Sequence, residues 1–217
     1  MEPFEKVTGV AVPMDRQNVD TDAIVPARFL RRIERTGWGE VLFNDWRYKE
    51  DGQPEPSFVL NQPGYENAQI LIAGRNFGSG SSREHAVWAI QQFGIRAIIS
   101  SSFADIFHKN CFENGVVPVI LPEEQVQKLM RRAKEGPALE LTVDLRACEV
   151  RDGAGFVAPF VVHTDPETHG FRRETLMKGY DEISLTLKRD DDIAAFEETR
   201  PAYLDPAAGQ PRDGVPA

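Results

Sequence analysis

Short apolar runs alternate with longer amphipathic runs through the middle of the chain. The runs QILIAG, RAIISS and VVPVIL have the length and continuous apolar character of buried strands. Between them, REHAVWAIQQFG and ADIFHKNCFENG repeat apolar residues at helical spacing, and each segment ends at a glycine, Gly94 or Gly115. The amphipathic segment PEEQVQKLMRRAKEG follows, starting at Pro122 and ending at Gly136. This order predicts parallel strands joined by helices.

The flanking segments predict further elements. VTGVAVPMD predicts an early strand that stops at Pro13, and Pro118 indicates that VVPVIL lies at a sheet edge or a bulge. The segment NVDTDAIVPARFLRRIER is loop-like at its start and helical at its end. LELTVDL and GFVAPFVV predict two strands around a turn at Asp152-Gly153. PETHGFRRETLMKG and DDDIAAFEETR predict two more helices.

Length and composition limit the organisation of the molecule. The chain has 217 residues, which suits a single domain, and we predict that it spans residues 1–204. Residues 205–217 are polar and rich in proline and glycine, so we predict a disordered tail. The start, MEPFEKVTGV, lacks the pattern of a signal peptide, and no apolar run is long enough for a membrane span. We therefore expect a cytoplasmic protein that does not enter a membrane.

Charge and cysteine content argue against several classes of protein. The formal net charge is -9, whereas proteins that bind nucleic acids normally carry a basic excess. The two cysteines, Cys111 and Cys148, cannot by themselves hold an iron–sulfur cluster or a structural zinc ion. They also do not form the pattern of a secreted disulfide framework. A local cationic pocket for a small anion stays compatible with the acidic total charge.

A loop rich in glycine and serine, RNFGSGSS, precedes the helix predicted in REHAVWAIQQFG. One interpretation is purely structural, because Ser81 to Glu84 has the pattern of a capping box: a hydroxyl at the N-cap and a glutamate three residues later. The glycines would then permit a tight turn. A capped helix explains one serine and Glu84. It does not explain the other serines, the two glycines and Arg83 together.

Several nucleotide and hydrolase motifs do not fit this loop. A P-loop requires Gly-Lys-Ser/Thr after the turn, which is missing. A dinucleotide fingerprint requires a third glycine where Arg83 stands, and an acidic residue after the next strand, which ends in ISSS. The Gly-x-Ser-x-Gly pattern of a hydrolase elbow is not matched. His85 lies four residues after Ser81, so a Ser–His pair stays open.

The loop residues fit an anion site at the N-terminus of a helix. Free main-chain N–H groups and the helix dipole favour negative charge there. Serine hydroxyls add donors, and Arg83 can bind a carboxylate through two parallel hydrogen bonds. The same donors could stabilise a serine alkoxide, which requires about 8 kcal/mol because a serine hydroxyl titrates roughly six units above neutrality. The loop therefore predicts a site for a small carboxylate, with a serine as a candidate base.

The segment NFGSGSSREHAVWAI closely resembles the signature of the swivelling domain of the aconitase superfamily, in the form found in the small subunit of bacterial 3-isopropylmalate dehydratase. The resemblance extends to about Leu204 and implies an α/β fold: a swivelling β/β/α domain with a mixed sheet and flanking helices. It departs from many bacterial members at Ser79, where they carry cysteine, and at Val87, where they often carry proline. Four further segments resemble blocks of this family in the same order: TGVAVPMDRQNVDTDAIVPARFL, RTGWGEVLFNDWRY, SSFADIFHKNCFENGVVPV and DEISLTLKRDDDIAAFE.

The resemblance implies a hydro-lyase of leucine biosynthesis that converts 2-isopropylmalate to 3-isopropylmalate through isopropylmaleate. Ser81 would be the base that removes a proton, and Ser82 and Arg83 would bind the dicarboxylate substrate. Asp22 and Arg28 would also contribute to substrate binding. This chain would bind no cofactor and would be active only with a large subunit, which would carry a [4Fe-4S] cluster.

Three alternatives stay open. The first is the small subunit of a related hydro-lyase acting on citraconate, dimethylmalate or homoaconitate, although the segment RTGWGEVLFNDWR favours the leucine-pathway type. The second is a stand-alone serine hydrolase that uses Ser81 and His85. The third is a noncatalytic nucleotide-binding module, against which the incomplete glycine fingerprint argues.

Overall fold

The computed structural model describes residues 1–135 and 139–199. The chain divides into two compact units, Met1–Gly179 and a second that begins at Tyr180. The single domain over residues 1–204 stays a prediction. The predicted disordered tail, residues 205–217, lies outside the described residues, and so does Gly136.

The first unit is built on a seven-stranded mixed sheet. Its strands are β1 (Lys6–Met14), β2 (Ile70–Ala73), β3 (Ala97–Ser100), β4 (Val117–Ile120), β5 (Glu140–Asp144), β6 (Glu149–Asp152) and β7 (Val157–Pro159). Their order across the sheet is β4-β3-β2-β1-β5-β6-β7. Strands β1 to β4 pair in parallel, whereas β5, β6 and β7 extend the sheet from β1 by antiparallel pairing. The predicted parallel pairing of the three apolar runs is confirmed, and Pro118 lies on the edge strand β4 as predicted.

Two predictions about the strands are wrong. Strand β1 continues through Pro13 to Met14. The strand tolerates Pro13 because the main-chain nitrogen of this residue faces the side of β5, where the pairing with β5 has already ended. The nitrogen of Ala11 donates to the carbonyl of Leu139, on the side of β5, and pairing with β5 covers only Lys6 to Val10. The nitrogen of Pro13, two residues later, points to the same side beyond this pairing, so no ladder hydrogen bond is lost.

The second error concerns the turn at Asp152-Gly153. It joins β7 to β6, a strand that was not predicted, rather than to β5. The residues EVRD of β6 are mostly polar, and the preceding turn, LRAC, contains no glycine, proline or asparagine. Its positive φ angle falls on Cys148, at 55°. The sequence therefore lacked the usual signal for a hairpin between β5 and β6.

The helices of the first unit are α1 (Thr21–Ile24), α2 (Asn44–Arg47), α3 (His85–Phe93), α4 (Asp105–Glu113), α5 (Glu123–Lys134) and α6 (Pro166–Lys178). The second unit contains α7 (Glu182–Leu187) and α8 (Asp190–Thr199). The helices predicted from amphipathic spacing are confirmed, whereas α1, α2 and α7 were not predicted. Helix α1 lies in the segment that was expected to be loop-like, so that expectation is wrong. The helix predicted at the end of NVDTDAIVPARFLRRIER is a short 3-10 helix, Ala27–Arg31. None of the helices in the described ranges has the length and apolar character needed to cross a bilayer.

The parallel strands are buried on both faces, which explains their continuous apolar runs. Leu71 of β2 packs in a cluster with Ala86 and Val87 of α3 on one face. Ile70 and Ile72 pack on the other face, in a cluster that includes residues of α5 and α6. This arrangement directs the carboxyl ends of β1, β2 and β3 to the same edge of the sheet. Ligand sites of open α/β sheets lie at such edges.

Candidate active site

The glycine–serine loop, residues 74–84, connects the carboxyl end of β2 to α3. Main-chain hydrogen bonds hold it on both sides. On one side, the N–H of Gly78 donates to the carbonyl of Val19 at 2.7 Å, and on the other the N–H of Phe77 donates to the carbonyl of Ser102 at 3.2 Å. Val19 follows β1 and Ser102 follows β3. The loop is therefore fixed between two segments that leave the same edge of the sheet.

Gly78 allows this loop to lie directly on the core. Its φ angle is +82°, in the left-handed region, and a Cβ atom at this position would lie 2.1 Å from the ring of Phe107. Phe107 is fully buried and packs edge-to-face against Phe77, with ring centroids 5.4 Å apart. A side chain at residue 78 would have to displace a core ring, so the glycine is required by packing as well as by conformation.

We expect Gly78→Ala to destabilise the chain by about 2–4 kcal/mol, because it combines left-handed strain with overpacking. This corresponds to a fall in melting temperature of roughly 5–15 °C, measurable by circular dichroism. Gly94→Ala is the matched control, since Gly94 also has a positive φ angle but has no atom within 4 Å of the added Cβ. If the two substitutions lowered the melting temperature equally, the contact with Phe107 would not contribute to the cost of a side chain at residue 78.

Ser81 does not cap α3, so the capping-box interpretation is wrong. The helix begins at His85, four residues after Ser81. The Ser81 hydroxyl oxygen lies 2.8 Å from that of Thr21, and the Ser81 N–H donates to the Thr21 hydroxyl oxygen at 3.1 Å. The carboxyl of Glu84 interacts with Glu113 instead, and burial together with this neighbouring carboxyl raises the pKa of Glu84.

The turn before α3 offers unpaired donors. Within the described residues, the N–H groups of Ser82, Arg83 and Glu84 donate to no acceptor. The side chain of Asn110 fixes this turn from α4 by donating to the carbonyl of Ser82 at 3.2 Å. These three N–H groups directly precede the positive end of the nine-residue helix α3, and free N–H groups and a helix dipole both favour an anion.

Arg83 and Asp22, two of the residues expected to bind substrate, contact each other. Their side chains form an ion pair in which Arg83 is 29% exposed and Asp22 is 53% exposed. Asp22 and Thr21 are neighbours at the start of α1, so this short helix contacts both Arg83 and Ser81. The pair holds the guanidinium against α1 while leaving part of it exposed to solvent.

His85 does not form the Ser–His pair that the sequence left open. Its ring packs against those of both Trp38 and Trp88, at centroid distances of 4.6 and 4.7 Å. Burial and the charge of Arg83 lower the pKa of His85, which favours the neutral ring. Because the Ser81 hydroxyl contacts Thr21 instead, the serine hydrolase alternative loses its base.

Arg28 lies against a different set of residues. Its guanidinium donates to the side-chain oxygen of Asn44 at 2.7 Å and forms an ion pair with Asp45. Hydrogen bonding to Asp45 raises the pKa of Arg28. Arg28, Phe29 and Arg32 line a cavity of about 730 Å³. No hydrogen bond in the described part of the chain joins Arg28 to the glycine–serine loop, and its role in substrate binding stays a prediction.

Two residues near the site were missed by the sequence analysis, Thr21 and Asn110. Both are polar and almost fully buried, at 1% and 5% exposure. Thr21 stands directly before Asp22, and Asn110 lies on the buried face of α4. A polar residue on an apolar helix face was the available signal for Asn110, because a buried amide requires a hydrogen-bond partner.

The cysteines do not fit an iron–sulfur cluster held by this chain. Cys111 is fully buried in α4, whereas Cys148 lies in the turn between β5 and β6 and contacts the carbonyl of Leu145. Among the described residues, no group of three or more His, Cys, Asp or Glu side chains is placed to hold a metal ion. Such clusters are held by several thiolates, commonly four, which two separated cysteines cannot supply.

Family models match most of the chain. Residues 1–124 match the aconitase C-terminal domain, and residues 127–163 match a model described as LeuD_N. Residues 182–203 match the C-terminal domain of the 3-isopropylmalate dehydratase small subunit.

Individual proteins and a solved structure agree with these matches. A protein of Brevibacillus brevis named 3-isopropylmalate dehydratase small subunit is 50% identical, over 92% of this chain and 100% of that protein. Proteins of the same name from Parvibaculum lavamentivorans and Frankia alni are 51% and 53% identical, over 93% and 94% of this chain and 99% and 98% of their own lengths. A crystal structure of 3-isopropylmalate dehydratase from Methanocaldococcus jannaschii confirms the fold class, with a TM-score of 0.62 and 23% identity over 88% of this chain and 99% of that chain. Because about half of all positions are identical over nearly the full length of several such proteins, the chain belongs to the family of 3-isopropylmalate dehydratase small subunits, within the aconitase superfamily.

Proposed function

We propose that this chain is the small subunit of the leucine-pathway hydro-lyase that converts 2-isopropylmalate to 3-isopropylmalate by dehydration to isopropylmaleate and rehydration. The arrangement of one loop carries this proposal. In the turn before α3, Ser81 is followed directly by three residues with free N–H groups, one of which is Arg83. Such a set suits a reaction in which a proton leaves a carbon next to a carboxylate and negative charge develops on that carboxylate.

Ser81 is the proposed base. It removes a proton from the substrate carbon in the dehydration direction and returns a proton in the hydration direction. Its hydroxyl needs local stabilisation to act in this way, and the free N–H groups and the cationic side chain of Arg83 are the nearby sources. Ser81 and Arg83 are half-buried, which strengthens these interactions relative to bulk water.

Ser82 and Arg83 are proposed to bind one substrate carboxylate. The planar guanidinium of Arg83 matches the two oxygens of a carboxylate, and the neighbouring residue Ser82 is exposed. Asp22 is proposed to hold Arg83 in the orientation that the ion pair defines. Arg28 is proposed to contact the substrate from the cavity formed by the 3-10 helix and α2.

The proposal requires a large subunit as partner, because this chain supplies only part of an active site. The [4Fe-4S] cluster is proposed to lie on that partner, in agreement with the two separated cysteines of this chain. When bound, such a cluster acts as a Lewis acid on the hydroxyl group that leaves the substrate. The enzyme is proposed to work in the cytoplasm, on a small dicarboxylate and without nucleic acid.

We expect the purified chain to show no dehydratase activity by itself. Mixing it with the large subunit under anaerobic conditions should produce isopropylmaleate from 2-isopropylmalate, measured by ultraviolet absorbance. The large subunit alone is the control for residual activity, and citraconate and homoaconitate are the comparison substrates. Turnover by the purified chain without partner and iron would contradict the proposal.

A further inference from the structure

We propose that Thr21 is a positioning residue that sets the orientation and the proton affinity of the Ser81 hydroxyl. This inference rests on the proposed role of Ser81 as the base. Thr21 lies 60 residues before Ser81 in the sequence, and the fold places their hydroxyl oxygens 2.8 Å apart.

Two hydrogen bonds converge on the Thr21 hydroxyl oxygen. The N–H of Ser81 donates to it at 3.1 Å and so occupies one of its lone pairs. The second bond joins the two hydroxyl groups, and either oxygen can be the donor while both are protonated. Within the described ranges the Thr21 hydroxyl makes no other hydrogen bond. Its proton is therefore available to Ser81.

Ionisation of Ser81 determines the direction of the hydroxyl–hydroxyl bond. A serine alkoxide has no proton to donate, so in that state only the Thr21 hydroxyl can be the donor. A hydrogen bond that favours the charged form of a group lowers its pKa. Thr21 should therefore make Ser81 a base at a lower pH than the main-chain donors and Arg83 could achieve alone.

The surroundings of Thr21 keep its hydroxyl in place. The residue is 1% exposed, and its N–H donates to the carbonyl of Ser79 at 2.8 Å. Its carbonyl accepts from the N–H of Val25 at 2.9 Å, within the first turn after the Asp20 cap. The β-branched side chain has few rotamers, and burial strengthens the hydrogen bond.

A purely structural role makes a different prediction. If the hydroxyl only ties α1 to the loop, its loss should lower the melting temperature and disturb Ser81, Arg83 and substrate binding together. The pH dependence of the rate would keep its shape. A role in the proton affinity of Ser81 instead predicts a lower kcat, a nearly unchanged KM and a shifted pH profile.

The test compares Thr21→Val with Thr21→Ser in the enzyme reconstituted with its large subunit. Val keeps the branched shape without the hydroxyl, whereas Ser keeps the hydroxyl. We expect Thr21→Val to lower kcat roughly 10- to 100-fold, as for the loss of a hydrogen bond to a charged group, with KM within about threefold of the original. Its kcat/KM should continue to rise at a pH where the unmodified enzyme has levelled off. Thr21→Ser should restore most of the rate and the original profile.

Melting curves will show whether Thr21→Val folds normally. If it folds poorly, Thr21→Ala replaces it in the test, because Ala removes the hydroxyl without adding a methyl group against its neighbours. Unchanged kcat in a folded variant without the hydroxyl, or a reduced kcat with an unshifted pH profile, would overturn the role of Thr21. Ser81→Ala is run in the same assay. If it is inactive while Thr21→Val is normal, only the inference about Thr21 fails. If Ser81→Ala is fully active, the proposed function of the loop fails.

Discussion

Replacement of Ser81 by alanine is expected to lower kcat of the reconstituted enzyme roughly 10²- to 10⁴-fold, the range typical of a lost general base. Substrate should still bind, because Ser82, Arg83 and the free N–H groups are retained. Stability should fall by only about 1 kcal/mol, since the change removes one hydroxyl–hydroxyl hydrogen bond to Thr21. Initial rates of isopropylmaleate formation and a binding assay with 2-isopropylmalate would measure the two effects separately.

Ser79→Ala is the matched control for Ser81→Ala. Ser79 lies on the same loop, and its hydroxyl is 3.5 Å from the carbonyl of Asn18, whereas its main-chain carbonyl bonds Thr21 and is kept in the variant. It should retain most activity. If Ser81→Ala is active and Ser82→Ala is inactive, the loop has the proposed role but the base is one residue later. If both are active, the anion-loop mechanism is wrong.

Arg83→Lys is expected to lower kcat/KM by roughly 30- to 150-fold, equivalent to about 2–3 kcal/mol of transition-state stabilisation. Lysine keeps the charge but loses the planar pair of donors that matches a carboxylate. The ion pair with Asp22 is partly exposed and lysine can still form it, so stability should change by less than about 1 kcal/mol. Steady-state kinetics of the reconstituted enzyme would measure the catalytic effect.

Arg75→Lys is the same substitution at an exposed position of the same loop. Arg75 hydrogen-bonds Gln17 at 3.0 Å and has no assigned role. This variant should keep nearly all activity. Near-normal kcat/KM in Arg83→Lys as well would show that Arg83 acts only as a solvated cation.

The sequence was most informative where periodicity and side-chain chemistry are local. The apolar runs predicted β2, β3 and β4, and the glycine at residue 94 correctly marked the end of α3 with its positive φ angle. The glycine–serine loop was predicted to be an anion site from its residue types. Glycines, serines and an arginine before a helix fit an anion site better than the capping, nucleotide or hydrolase motifs. The strand β6 was missed for the opposite reason, since its polar residues and its turn lack a distinctive pattern.

What the sequence by itself determined is thus the alternation of strands and helices and the resemblance to a family, and it predicted an anion site at one loop. The tertiary structure decided which groups meet there. It turned Ser81 away from the helix that its capping pattern predicted and toward Thr21, and it packed His85 against two tryptophans. The reason is that a local pattern describes neighbours along the chain, whereas Thr21 and Ser81 are separated by 60 residues. They meet only because β1 and β2 pair in parallel and bring the segments after both strands to the same edge of the sheet.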